Sequence, residues 1–177
     1  MEQITKEELL DVIGKFELGD NTEVVSVEPY GSGHINDTFR LEVKQDGKEK
    51  LYILQRMNKH IFKNQKELME NILQVTSFLT DKIKAQGGDP NRETLQVIPT
   101  KEGKSYLIEA NGDGWRVYPF ITDSLSFDKA DTPEAMKKSG YAFGNFQYLL
   151  SDFPAEILHE TIPDFHNTVD RYAKFEQ

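Results

Sequence analysis

The chain has no cysteine among its 177 residues. That excludes disulfides, zinc–thiolate sites, iron–sulfur clusters and a cysteine nucleophile. No stretch approaches the roughly 20 apolar residues of a membrane-spanning helix. No basic start leads into an apolar run, so a secretory leader is not expected. The four histidines, His34, His60, His159 and His166, are scattered and lack the H-x-x-x-H spacing of a helical metal site. Lys and Arg number 21 against 30 Asp and Glu, a net charge of −9 that argues against a nucleic-acid partner. There is no internal repeat, no low-complexity tract, no sulfatase-type C-x-P-x-R or S-x-P-x-R motif and no G-x-S-x-G elbow. What remains is a cytoplasmic globular chain without a membrane partner. An apolar fraction of 37% and a charged fraction of 29% allow one domain with a core, or a domain plus an appendage.

The pattern reads as an α+β chain. Thr5-x-x-Glu8 is a capping box that opens a helix over 5–17, with Leu9, Leu10, Ile13 and Phe16 as its apolar stripe. Strands are expected over 23–29 and 36–43, around the glycine pair Gly31 and Gly33. Asp46-Gly47 is a hairpin turn signal, and the strand after it covers 50–57. Leu68, Ile72, Val75, Leu79 and Ile83 recur at helical spacing within a long helix over 64–86, which the Gly87-Gly88-Asp89-Pro90 run ends. Strands over 95–100 and 104–110 follow, then Trp115 to Tyr118, where Pro119 is expected to end the pairing for want of an N–H. Residues 122–132 read as a linker. Thr132-Pro133 starts a helix whose apolar face is Ala142, Phe143, Phe146, Leu149 and Leu150. Phe153, Ile157, Leu158, Ile162, Phe165, Tyr172 and Phe175 lack an obvious sheet to cover, and Asp170 to Gln177 looks like the first turns of a helix.

Four constellations carry chemistry. Gly31 and Gly33 permit positive φ and close backbone approach, so Gly31-Ser32-Gly33 can present N–H groups to phosphate oxygens. Dinucleotide-fold and P-loop motifs need a helix after their glycines, and here a strand follows. The glycine loop of a kinase sits between strands, as this one does, although Asn36 holds the position of its third glycine. Arg56 places a cation on the third strand, where a kinase pairs a charge with nucleotide phosphates. Gln55 points to the opposite face, so only one of the two faces the nucleotide, and charge selects Arg56. Glu67 and Glu70 of the long helix are both candidates for its acidic partner. Trp115 to Ile121 is a strand passing into a linker, whose backbone can read an adenine edge. His34 lies at the loop tip, near a transferred group or a substrate hydroxyl. Each has a bland counterpart: an ordinary hairpin, a solvated strand charge, a packed edge strand, an exposed turn histidine. His166 reads as a helix-end residue.

The segments Glu28-Pro29-Tyr30-Gly31-Ser32-Gly33-His34-Ile35-Asn36, Tyr52-Ile53-Leu54-Gln55-Arg56-Met57-Asn58 and Trp115-Arg116-Val117-Tyr118 occur in this order. Ala142-Phe143-Gly144-Asn145-Phe146-Gln147 and Glu160-Thr161-Ile162-Pro163-Asp164-Phe165-His166 follow. Together they resemble the N-terminal lobe of the aminoglycoside-phosphotransferase-like kinase superfamily, and more narrowly the bacterial N-acetylhexosamine 1-kinases. The resemblance implies a five- to six-stranded antiparallel sheet packed by one long helix, a nucleotide-binding lobe with hinge over 1–121, and a linker with the helical start of a second lobe over 122–177. It implies transfer of the γ-phosphoryl group of ATP, with magnesium, to the anomeric hydroxyl of N-acetylglucosamine or N-acetylgalactosamine. Gly31, Ser32 and Gly33 would cover the phosphates with Arg56 near them. Tyr118, Pro119 and Phe120 would form the adenine hinge, and His34 would lie near the sugar.

The family's H-N-D-x-x-x-x-N catalytic loop and its D-x-D-type magnesium aspartate do not occur here, the nearest trace being His166-Asn167-Thr168. The expectation is therefore a truncated, inactive half of an enzyme, with no catalytic residue and no magnesium ligand of its own. Its unpartnered C-terminal helices would form a non-native dimer or stay mobile. Two other readings are a related kinase for choline, homoserine, an aminoglycoside or another sugar, and a non-catalytic binding or assembly module.

Overall fold

A computed structural model describes residues 4–125 and 129–176. Residues 126–128 of the expected linker, and Gln177, lie outside the described residues. Among the described residues no helix is long and apolar enough to cross a membrane.

The first helix, α1, is Lys6–Gly14. Its capping box forms as the sequence predicts: the Thr5 hydroxyl accepts from the Glu8 N–H, and Glu8 accepts from the Thr5 N–H at 2.7 Å. Leu9, Val12 and Ile13 are buried, whereas Leu10 turns outward. Three strands follow, β1 (Thr22–Pro29), β2 (Asp37–Gln45) and β3 (Lys48–Met57). Asp46 and Gly47 both take positive φ, 49° and 79°, the conformation a two-residue hairpin demands. The long helix α2 spans Gln65–Ala85, capped by the Asn64 side chain on the Glu67 N–H. A short turn, α3 (Pro90–Glu93), precedes β4 (Leu107–Ile108) and β5 (Gly114–Pro119). Helix α4 (Pro133–Leu149) is capped by Thr132, and α5 is Thr168–Phe175.

The fold is α+β: the strands form one antiparallel sheet in the order β1-β2-β3-β5-β4. The expected strand over 95–100 does not form. Ile98 and Thr100 make isolated bridges to Val117 and Phe16. Pro99 brings no N–H, and its carbonyl accepts from Glu17 at 2.8 Å while Lys101 donates to Lys15. The segment thus divides its backbone bonds between β5 and the end of α1. The expected strand over 104–110 shrinks to the two residues of β4.

Strand alternation decides where the core lies. Val27, Phe39, Leu41, Val43, Tyr52, Leu54, Trp115 and Val117 share one face, and α1, Phe16 and Leu18 close over it. This core contains no residue of α2. The long helix instead crosses the polar face beside β5, where Gln65 and Met69 are buried. Its C-terminal half packs elsewhere: Leu79 and Ile83 form a second, small cluster with Leu149. The sheet is therefore packed chiefly by α1, and the expected single-helix packing is corrected accordingly.

Candidate functional site

The turn between β1 and β2 holds Gly31, Ser32, Gly33 and His34, all exposed. Tyr30 donates to the Thr38 carbonyl at 2.8 Å, the last bond before the chains part. Gly31 has φ 83°, a region that L side chains rarely adopt. A Cβ at Gly31 or Gly33 would meet nothing within 4 Å, so space over the loop is open. Among the described residues no group accepts from the N–H of Gly31, Ser32, Gly33 or His34. Asn36 shows why a non-glycine serves as the loop closes. Its side chain accepts from the Asn58 N–H at 2.9 Å, and the Asn58 amide donates to the Ile35 carbonyl at 2.9 Å. The loop stem is thus tied to the segment after β3 while its tip carries free donors.

Tyr118, Pro119 and Phe120 lie at the end of β5, with two strands, β2 and β3, between it and β1. Pairing does not stop at Pro119: the Phe120 N–H donates to the Leu51 carbonyl at 2.9 Å, so the ladder steps over the proline. The Tyr30 and Phe120 rings meet edge to face, centroids 5.4 Å apart. The base of the glycine turn and the end of β5 are thereby brought together on one face. Burial pushes the Tyr118 phenol up to about 12, with the Arg116 charge opposing.

Arg56 goes to the other face. Its register partners are Asp37 and Trp115, and it lies over the Trp115 ring at 5.9 Å. Nη2 stands 2.7 Å from Asp37, and Nη1 stands 3.2 Å from Asp113, which Lys59 also engages at 2.8 Å. Burial pushes the Asp113 carboxyl up, but the Lys59 bond and the charges of Arg56 and Lys59 outweigh it and hold the group below its ordinary value. The two acids seen beside Arg56, Asp37 and Asp113, come from a strand start and a turn. Glu70 instead faces His159 at 3.0 Å.

The face that carries Tyr30 and Phe120 bears a polar row of Thr38, Gln55 and Arg116, of which the sequence singles out only Gln55. Gln55 donates to the Thr38 hydroxyl at 2.8 Å, and its amide oxygen accepts from Arg116 Nη2 at 2.6 Å and Nε at 3.0 Å. Arg116 Nη1 lies 3.8 Å from the Met69 sulfur of α2, and the guanidinium lies 5.3 Å from the Tyr118 ring centroid. Among the described residues no carboxylate lies within ion-pairing distance of Arg116. Burial pulls its guanidinium below the usual range, with Tyr118 opposing. The signal was present in Trp115-Arg116-Val117-Tyr118: Arg116 is out of phase with the two apolar residues that flank it.

Elsewhere, His166 is exposed before α5 and packs on Phe165, centroids 4.8 Å apart. A cavity of about 740 Å³ beside α1 and β4, lined by Lys15, Lys66, Glu70, Lys101, Lys104 and Tyr106 among others, contains none of the expected nucleotide-binding residues. Among the described residues no three acidic or histidine side chains converge as a metal site. No protein-family model matches the chain.

Proposed function

We propose that this chain is the nucleotide-binding part of a kinase-like small-molecule phosphotransferase, with ATP as donor and the anomeric hydroxyl of an N-acetylhexosamine as acceptor. The observation that carries it is the glycine hairpin. Its four N–H groups lack acceptors among the described residues, and its base packs against Phe120 at the end of β5. Donors of this kind suit phosphate oxygens, and the end of β5, whose Phe120 N–H is already given to Leu51, would offer its carbonyls to a purine amino group on the same side. His34, at the open tip, is positioned for the acceptor or the transferred group. The acceptor class rests on the sequence resemblance. Magnesium is assigned no ligand among the described residues, and the 177 residues contain no H-N-D-x-x-x-x-N stretch to supply a base.

The test has two arms. Calorimetric titration of the 177-residue chain with ATP is expected to give saturable binding that Gly31→Val abolishes. Incubation of the chain with ATP and N-acetylglucosamine or N-acetylgalactosamine is expected to give no sugar 1-phosphate. The intact gene product is expected to give it. ADP release with choline, homoserine or an aminoglycoside, but with neither amino sugar, would replace the acceptor and keep the class. Absence of ATP binding would remove the class.

A further inference from the structure

Arg56 and Arg116 stand on adjacent strands one register position apart and on opposite faces, and their surroundings are opposite too. Arg56 is compensated by Asp37 and Asp113. Arg116 is half-buried with an amide oxygen, a thioether and a ring as neighbours. A guanidinium keeps its charge in any protein, and taking it out of water without a counter-charge is costly. Its donors are also incompletely used. Gln55 takes one N–H each from Nε and Nη2, and Met69 faces one from Nη1. That leaves one N–H on each terminal nitrogen, a fork suited to two oxygens of one anion.

The orientation is fixed from behind. Thr38 holds Gln55, and Gln55 holds Arg116, in a row across β2, β3 and β5. With strands about 4.8 Å apart, the row spans roughly 10 Å. It lies on the face shared by Tyr30 and Phe120, behind the glycine hairpin. We infer that Arg116, oriented by Gln55, is the fixed charge that anchors a polyphosphate anion on this face, so that the cation is supplied by β5 and not by β3. This deepens the nucleotide reading above and rests on it for the identity of the anion as the phosphate chain of a nucleotide. Arg56 then belongs to the structural network on the other face and does not touch the ligand.

The experiment titrates the 177-residue chain with sodium tripolyphosphate and, separately, with ATP. Arg116→Met is expected to weaken both by about tenfold or more, the loss of a charge-assisted fork, and Arg116→Lys to recover part of it. Arg40→Met, an exposed charge of the same face, is expected to change neither. The wild-type arginine Nε–H resonance assigned to Arg116 is expected to shift on titration, which keeps the test decisive if the methionine variant does not fold. ATP binding that is unaffected by Arg116→Met, with an unmoved Nε resonance, would overturn the inference and leave the nucleotide reading standing. Arg116-dependent binding of tripolyphosphate, with ATP no tighter, would keep the anion site and remove the nucleotide. Binding of neither anion would overturn both.

Discussion

Arg56 is clamped between two carboxylates with only a tenth of its side chain exposed. Arg56→Met would leave Asp37 without its ion-pair partner and Asp113 with Lys59 alone. It is expected to cost about 3–5 kcal/mol in urea unfolding; a loss under about 1 kcal/mol would mean that water screens the cluster. The same cluster sets a pH dependence. The folded Asp113 carboxyl lies below its ordinary value of 3.8, so its contribution is complete above that value and is lost as pH falls through the lower folded one. Asp113→Asn is expected to flatten the acid limb of stability below about pH 4 and to leave its slope between pH 6 and 8 unchanged. Gly114 is fixed by space. A Cβ there would lie 1.5 Å from the buried Gln65 amide oxygen and 2.8 Å from Met57, so Gly114→Ala is expected to cost about 1–3 kcal/mol by thermal melt. Strand phase, legible in the sequence, already put Gln55 and Arg56 on opposite faces. Their partners were not legible, because Asp37 lies 19 residues before Arg56 and Asp113 lies 57 after it. Charge alone favours Arg56 over Gln55, and the structure pairs that charge with these two distant acids.

The elements with local signals were the legible ones. The Thr5 capping box, the Asp46-Gly47 turn, the long helix and the Thr132-Pro133 start all depend on residues within a few positions of one another. The segment from 95 to 110 was misread because its apolar residues suggest strands, while Pro99 and the partners at Lys15 and Glu17 divert its backbone bonds. The stripe of α2 was misjudged in a different way. Its two ends face different partners: Gln65 and Met69 meet the sheet, and Leu79 and Ile83 meet Leu149. Asn71 adds a clasp, with its amide donating to the His159 carbonyl at 2.8 Å and accepting from the His159 N–H at 2.9 Å. Leu149→Ala is expected to lower hydrogen-exchange protection in α4 and the last turns of α2 by about 2 kcal/mol. Protection in β2 and β3 is expected to stay unchanged. An equal fall in the sheet would show one cooperative unit instead of two.

At the scale of the whole molecule, apolar surface is distributed unevenly. Tyr141, Phe143, Phe146 and Tyr148 of α4 and Tyr172 and Phe175 of α5 are all exposed, whereas the large apolar side chains of β2 and β3 are mostly buried. Exposed aromatics in this number favour association. Light scattering on the 177-residue chain is expected to give a mass that rises with concentration above 20.4 kDa, and Phe143→Asp with Phe146→Asp to return it to that value. A constant monomer mass would mean that this surface is inert. The chain's single tryptophan, meanwhile, lies in the α1-side core, 2% exposed, beside Phe39 and under the Arg56 guanidinium. Nature has thus placed the only indole chromophore where β5 joins the sheet. Its emission reports the docking of that late strand and is silent on α4 and α5, whereas helical circular dichroism weights them heavily. Recording both signals along one denaturant titration therefore separates the two cores without any label: coincident curves mean a single transition, and a helical signal that decays first places the earliest loosening around Leu149.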